Sequence, residues 1–513
     1  MLSLRAGAFH EARDLFRNFA DSRTTILDGG ATLGKADGPA RLTIQALHID
    51  QDLDGNRLRG VIVDAEGDFL GSRRWNHNEP SDFLDLRSDS VQARAEVELA
   101  DGLGLDLAAR FIDAEERQKY HEPIALIGPA NAWTAVAREY RDQIRETETF
   151  SLAANAVWSA GRDALRNRLL VGADHSWSRL DFRSRASRGT AATAAGRPCP
   201  LSIRNPVYRR CDPSTYVLPG YARTITVNDR QGAYLLDELT IGRLVLTGGV
   251  RYDAFEDSSN VSGFADDDVT YRAGAVFRLR PDLSVFAQWA TSFEPQGTGA
   301  QDPRAGGPFA PTTGSIREAG VKTALFGGRV QSSLSAYRIV RENLLQADPR
   351  GDPEGDGVNN QVAFGEVVSK GVDLDLATDL TRDWVLTLAY AYNDTRVTET
   401  NGRTVLTNAV GDRFANAPEH KLGFWTRYQF PRPGIAFALG GDHVSERISL
   451  SDQRVKPYIV FDASVILTRG PWRALLRVDN LLDKTYAASG FIDRNGHFPG
   501  EPRSAFVELT RAF

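Results

Sequence analysis

The sequence predicts an all-β chain built as a large antiparallel up-and-down transmembrane β-barrel of about 20 strands. Three observations predict it. Apolar residues recur with period two along segments of about ten residues, long enough to cross a bilayer at a tilt. Tight turns alternate with long loops along the chain, as in barrels whose two ends meet different compartments. No run approaches the ~18 consecutive apolar residues of a membrane helix, although strands that lipid would suit are plentiful.

Individual segments show the alternation. In 384–393 one face carries Trp384, Leu386, Leu388, Tyr390 and Tyr392, and the other Val385, Thr387, Ala389, Ala391 and Asn393. In 243–253, Leu246 and Val250 oppose Arg251 and Asp253; in 458–467, Phe461 and Val465 oppose Asp462. The apolar sets are assigned to lipid, and Arg251, Asp253, Asp462, Arg477 and Asp479 to the lumen. Short turns fall at 35–39, 99–104, 278–283, 326–329, 379–383, 430–434 and 468–472. Long loops fall near 52–87, 116–145, 184–224, 256–268, 294–314, 342–362, 394–415, 446–457 and 485–502. One strand near 2–13, nine hairpins and a closing strand at 503–513 make 20 strands. Trp158, Trp384 and Trp472 lie beside short turns, where an aromatic girdle would sit. A barrel of this width leaves a channel or needs a plug.

Composition narrows the function classes. The 513 residues carry 61 Lys+Arg and 67 Asp+Glu, a net charge of −6, so no basic block marks a nucleic-acid binder. No GxSxG, HExxH or P-loop stands in the chain, and no Ser/His/Asp set forms a defensible triad, so no enzyme is predicted. The N-terminus lacks the apolar core of a secretory signal. The two cysteines, Cys199 and Cys211, lie in one Arg- and Pro-rich loop. They read as a loop-stapling disulfide in an oxidising compartment, with two free thiols as the alternative. The eight His do not cluster at metal-ligand spacing; His77, His121 and His497 fall in predicted loops, where solvated side chains are expected, and His10 near the end of the first strand. Asp352-Pro-Glu354-Gly-Asp356-Gly357 resembles the start of a calcium loop, but its twelfth position is Ala363 rather than a bidentate Glu, so no metal site is predicted, nor a resident cofactor.

Several longer stretches resemble TonB-dependent outer-membrane receptors, in particular the ferric-siderophore group that includes ferrichrome receptors. They are WATSFEPQG (289–297), REAGVKTALFGGRVQSSLSAYRI (317–339), the segments 364–394 and 411–430, and the hairpin 232–253. Most specific is the terminal run RVDNLLDKTYAASGFIDRNGHFPGEPRSAFVELTRAF (477–513), which looks like the family's NLFDK-x-Y strand end and PGEPR segment before a Phe-terminated strand. Physically, Asn480, Asp483 and Lys484 can satisfy backbone groups where the chain leaves the ladder. Pro499, Gly500 and Pro502 break the ladder and set the register of the last strand.

The resemblance implies a bacterial outer-membrane receptor for ferric siderophores, coupled to the TonB complex when complete. The family also carries an N-terminal signal, a TonB-gripped box and a plug, and nothing in residues 1–513 resembles them. The segment 2–34 looks like the family's third and fourth strands, so 20 of an expected 22 strands are read here. Residues 1–513 are accordingly taken as one receptor-like barrel unit, with a passive porin-like pore or a non-transporting remnant as the alternative. Either 2–13 pairs with 503–513 to close the wall, or the chain as written is unstable in membranes.

At the loop end, aromatic and Arg side chains suit a bulky anionic chelate through stacking and charge-assisted hydrogen bonds. The candidates are Trp75 and His77 in the 52–87 loop, Tyr120, His121 and Trp133 in the next, and Tyr208, Arg209 and Tyr216 beside the cysteines.

Overall fold

The computed structural model describes residues 1–512 except 36–37, 56, 163, 188–195, 349, 352, 354–357, 364, 401–408 and 433. Strand β1 (Leu2–Asp14) is followed by the hairpins β2 (Asp21–Gly34)/β3 (Ala40–Asp54), β4 (Phe83–Ala100)/β5 (Leu103–Ile127) and β6 (Ala135–Arg162)/β7 (Leu165–Ser187). Next come β8 (Ala222–Ile241)/β9 (Leu244–Ser259), β10 (Gly263–Arg280)/β11 (Leu283–Glu294) and β12 (Thr312–Ala324)/β13 (Val330–Glu342). The wall continues with β14 (Glu366–Asp379)/β15 (Trp384–Glu399), β16 (His420–Gln429)/β17 (Ile435–Val444) and β18 (Tyr458–Arg469)/β19 (Trp472–Asp479), and ends on β20 (Ser504–Arg511). Each long strand pairs antiparallel with the next in sequence, the simplest up-and-down topology.

The register sorts the side chains into alternating rows. Directly opposed positions run Arg251–Tyr234–Gly172–Asn155–Asp106–Glu96–Arg41 across β9 to β3, an almost wholly polar row. One residue along, the row is Val250–Leu235–Val171–Ala156–Leu105–Val97–Ala40. Val250, Leu235 and Val171 are 40%, 42% and 47% exposed, so none of the described residues covers this apolar face. The polar face is held by ion pairs that span strands, such as Arg251 with Asp174, Arg94 with Asp106, and Arg41 with Glu96, and Arg251 also pairs with Asp253 two residues along β9. Gly232 leaves room for the Arg251 head, which stands 2.0 Å from where a Cβ would be. On β18 and β19, Phe461 and Val465 share the apolar face, and Asp462 and Arg477 the polar one. Trp158, Trp384 and Trp472 are all exposed on the apolar face beside turns, and Arg511 lies over the Trp472 ring. Phe513 and most of the calcium-loop-like run fall outside the described residues.

Several expectations need correction. The stretch 116–145 is not a long loop: β5 and β6 continue as a ladder to Ile127 and Ala135, and β6 reaches 28 residues. Once a hairpin rises clear of lipid, both faces may be polar, so alternation fades while the ladder persists. Pro123 is accommodated at a bulge in that ladder. Similarly, 256–268 is almost entirely strand, with β9 ending at Ser259 and β10 beginning at Gly263. The pairing of 2–13 with 503–513 is not made: among the described residues β1 pairs along β2 alone and β20 along β19 alone.

Candidate functional site

The loop end carries a second core, separate from the wall. Val61, Ile62, Trp75, Val136, Leu201 and Ile203 are fully buried together, with Phe69, Leu70, Leu126, Trp133 and Tyr208 packed around them. Residues 55–82 supply its centre. They fold over the projecting tips of β5 and β6, and Leu201–Ser202 adds a short strand to β6 at Val136 and Ala135. The Trp75 indole donates to the Ser202 carbonyl at 3.0 Å.

Polar groups inside this cap are closely matched. The His121 ring has Nδ1 2.9 Å from Asp82 and Nε2 3.1 Å from the Tyr216 hydroxyl, with Tyr140 and Tyr216 packed on it. Burial pushes the Tyr216 hydroxyl up to about 12, with Glu79 and Asp82 adding to the shift. Arg138 donates to the His77 carbonyl at 2.8 Å, to Glu79 at 2.8 Å and to the Cys199 carbonyl at 3.0 Å. Asn76 donates to the Asn18 and Gly55 carbonyls at 2.8 Å each, and Arg17 donates to the Trp75 carbonyl at 2.7 Å. His77 is fully buried; that burial, together with Arg59, Arg17 and Arg138 nearby, holds its imidazole well below the ordinary value and keeps it neutral.

The cap is also tied to the last loop. Val61 and His497 exchange backbone hydrogen bonds of 2.7 and 2.9 Å. Arg73 pairs with Asp483 at 3.0 Å and Glu122 accepts from both Arg59 and Asn495, while Lys456, in the loop between β17 and β18, pairs with Asp68 at 2.6 Å. Gly496 adopts φ +66°, and a Cβ there would stand 2.2 Å from the Val61 carbonyl oxygen, so the crossing demands glycine. In the terminal motif, buried Asn480 donates to the Lys484 and Glu501 carbonyls and accepts from the Lys484 N–H. Asp483 accepts from the Arg503 N–H at 3.0 Å. Lys484 takes part through its backbone, and its side chain is exposed, contrary to the side-chain role read for it.

The eight candidate residues therefore divide. Trp75, His77, Tyr120, His121 and Tyr216 lie inside the cap, and their neighbours are protein groups. Tyr120 is flanked by the Arg57 and Arg141 guanidiniums at 5.4 and 6.0 Å. Tyr208 is half-buried, its hydroxyl donating to the Asn76 carbonyl at 3.0 Å; Trp133 is half-buried against the core. Arg209 is exposed, as are Arg204 and Arg210. Loop histidines were expected to be solvated; His77, His121 and His497 have no accessible surface. His10 is exposed and bonded to Thr25. The sequence reading missed Asp82, Glu79, Arg138 and Tyr140, which hold the cap. The available signal was the faint alternation through KYHEP and REYRDQI (119–123 and 138–144). Cys199 and Cys211 stand with their sulfurs bonded and Cα atoms 5.9 Å apart. Among the described residues no group of three or more His, Cys, Asp or Glu is arranged to hold a metal ion.

The described residues thus form a tall antiparallel up-and-down wall with a folded loop cap at one end, the build of a large outer-membrane barrel. Comparison with known proteins agrees. The chain is 27% identical over 96% of its length to the metal-pseudopaline receptor of Pseudomonas aeruginosa, spanning 69% of that protein. It is 26% identical over 77% of its length to the ferrichrome outer membrane transporter/phage receptor of Escherichia coli, spanning 52% of it. The crystal structure of a siderophore receptor from Acinetobacter baumannii superposes with a TM-score of 0.83 at 19% identity, covering 99% of this chain and 77% of that one. The family described as TonB dependent receptor-like, beta-barrel, matches residues 18–481, and the chain belongs to this family of outer-membrane transport receptors.

Proposed function

We propose that the chain forms the wall and the capture surface of an outer-membrane receptor that imports ferric siderophores. The observation that carries this is the joint match of family and build: a receptor barrel over 18–481, with a packed loop cap at one end. Relatives named for pseudopaline, ferrichrome and ferrioxamine B support a metal-chelate cargo. Exposed Arg204, Arg209 and Arg210 are suited to an anionic chelate, whereas the buried aromatics hold the loops that present them. Energy coupling is assigned to TonB acting through a plug element outside these 513 residues, and the apolar outer wall is assigned to membrane lipid. The test is uptake of radiolabelled iron by a receptor-deficient strain expressing the gene under iron limitation, over a panel of hydroxamate, catecholate and carboxylate chelates. Saturable uptake of one class that stops when TonB is deleted is expected. Uptake of every small solute alike, unaffected by that deletion, would instead establish a passive pore.

A further inference from the structure

The chain contains two adjacent arginine pairs, Arg73–Arg74 and Arg209–Arg210, and the fold treats them in opposite ways. Proteolysis needs a segment that can leave the surface, one with little burial and few backbone hydrogen bonds. The first pair is closed to it. Arg73 donates to both carboxylate oxygens of Asp483, at 3.0 and 3.1 Å, and the Arg74 carbonyl accepts from the Asn18 N–H at 2.8 Å. The next four residues, Trp75 to Asn78, have at most 1% of their surface exposed.

The second pair is open. Arg209 and Arg210 are exposed, as are Arg204, Asn205 and Val207 before them and Asp212 after them. Among the described residues, no backbone group from Arg204 to Cys211 bonds to another backbone group. The arm is held only by side chains, with the Asn205 N–H on the Ser202 hydroxyl at 3.2 Å and the Arg209 N–H on Glu79 at 2.7 Å. Arg209 has φ +58°, a left-handed conformation that costs a residue with a Cβ, so straightening the arm relieves strain. Both sides of the arm are anchored. Upstream, Leu201 and Ile203 are buried in the cap core, and the Cys199 carbonyl accepts from Arg138 at 3.0 Å. Downstream, Asp212 accepts from the Ser214 N–H at 2.9 Å, and buried Tyr216 has its hydroxyl 3.1 Å from His121. The Cys199–Cys211 disulfide spans the arm and encloses all three exposed arginines.

We propose that the arm from Arg204 to Cys211 is a nicking site for endoproteases that cleave after arginine, and that the Cys199–Cys211 disulfide keeps the nicked chain in one piece. At Arg209–Arg210 the amide C–N bond breaks and one water is consumed. Its hydroxyl goes to the Arg209 carbonyl carbon and its hydrogen to the Arg210 nitrogen. Each new end belongs to a segment already anchored in the cap, and the disulfide joins residues 1–209 to 210–513. A cut from outside therefore leaves the cap assembled. The test treats the full chain, refolded in phosphatidylcholine nanodiscs, with limiting trypsin, and identifies new amino termini by mass spectrometry. The first to appear should be Asn205, Arg210 or Cys211, ahead of Arg74 or Trp75. On denaturing gels the product should run as one band without reductant and as two with it, and the Val61 amide should stay protected from hydrogen exchange after the cut. Arg204→Gln/Arg209→Gln/Arg210→Gln should lose the early cut. Cys199→Ser/Cys211→Ser should keep it and separate into two bands without reductant. A first cut anywhere outside the arm, an undiminished early cut in the glutamine variant, or loss of Val61 protection on cutting would overturn the proposal. So would two bands from the unsubstituted chain without reductant. If a variant does not fold, the termini and bands of the unsubstituted chain decide.

Discussion

Replacing Val250 by Arg places a charge in the middle of the lipid face. Val250 is six residues above Leu244, where β9 leaves its turn. At ~3.4 Å per residue and a tilt near 45°, that is about 14 Å above the turn, close to the centre of an apolar band about 25 Å tall. Its direct neighbours are Leu235 and Tyr271, which offer no counter-charge. An Arg there cannot snorkel to either interface, and the cost is about 2–4 kcal/mol, or roughly 30- to 900-fold in the folding equilibrium. The control is Thr247→Arg. Thr247 faces the lumen opposite Glu238 and Gly274, so the new charge is solvated and has a carboxylate beside it. Its cost should stay below about 1 kcal/mol. Both variants would be unfolded in guanidinium from lipid vesicles and followed by tryptophan emission. If Thr247→Arg cost as much as Val250→Arg, or more, the register would be wrong by one residue and both rows would change sides.

Three further predictions concern the cap. Burial, with Arg447 nearby, lowers His497 to about 4, below its ordinary value of 6.5. The unfolded loop therefore binds the proton first: stability is full above pH 6.5 and falls progressively toward pH 4, by at most about 3 kcal/mol. Hydrogen exchange at the Val61 and His497 amides should accelerate over that window, and a flat profile would refute it. Replacing Cys199 and Cys211 by Ser should loosen the cap by roughly 2–3 kcal/mol, and alkylation of membranes without reductant should find no free thiol; labelling of both cysteines would remove the disulfide. Trp75→Ala empties the cap core and removes the indole bond to Ser202, costing about 3–5 kcal/mol. It should expose 55–82 to protease while the wall remains folded, and an unchanged cleavage pattern would count against a separate loop core.

The wall was legible because one face is apolar and the other polar, a contrast that recurs at every second residue. Leu246, Val250, Phe461 and Val465 are apolar for that reason, and two-residue periodicity needs no knowledge of distant contacts. Above the bilayer the contrast disappears, and β5 and β6 read as loop although their ladder continues for ten residues or more. Burial of His77, His121 and His497 was illegible for a different cause. It depends on contacts between segments far apart in sequence, such as Arg73 with Asp483, 410 residues away, and Asn495 with Glu122, 373 away. A histidine among polar residues has no local mark to show whether a loop will fold over it.

The terminal motif gains a second meaning from these contacts. Asn480 and Asp483 close the end of β19 by binding backbone groups, as local chemistry suggests. Asp483 also accepts two hydrogen bonds from Arg73, so the same carboxylate fastens the cap. Val61 with His497 adds to that link, and Lys456 with Asp68 ties the cap to the neighbouring loop between β17 and β18. The cap thus joins the loop above β3 and β4, near one edge of the wall, to the loop above β19 and β20 at the other, where among the described residues the edge strands do not pair. Each link is small, and exposed ion pairs contribute at most about 1 kcal/mol. Because they share one folded segment with a dry core, losing one strains the rest, and the cap should open as a unit. That cooperativity lets the cap hold an exposed arginine such as Arg209 in place beside the barrel mouth, since its backbone N–H is fixed at 2.7 Å on Glu79, itself gripped by buried Arg138.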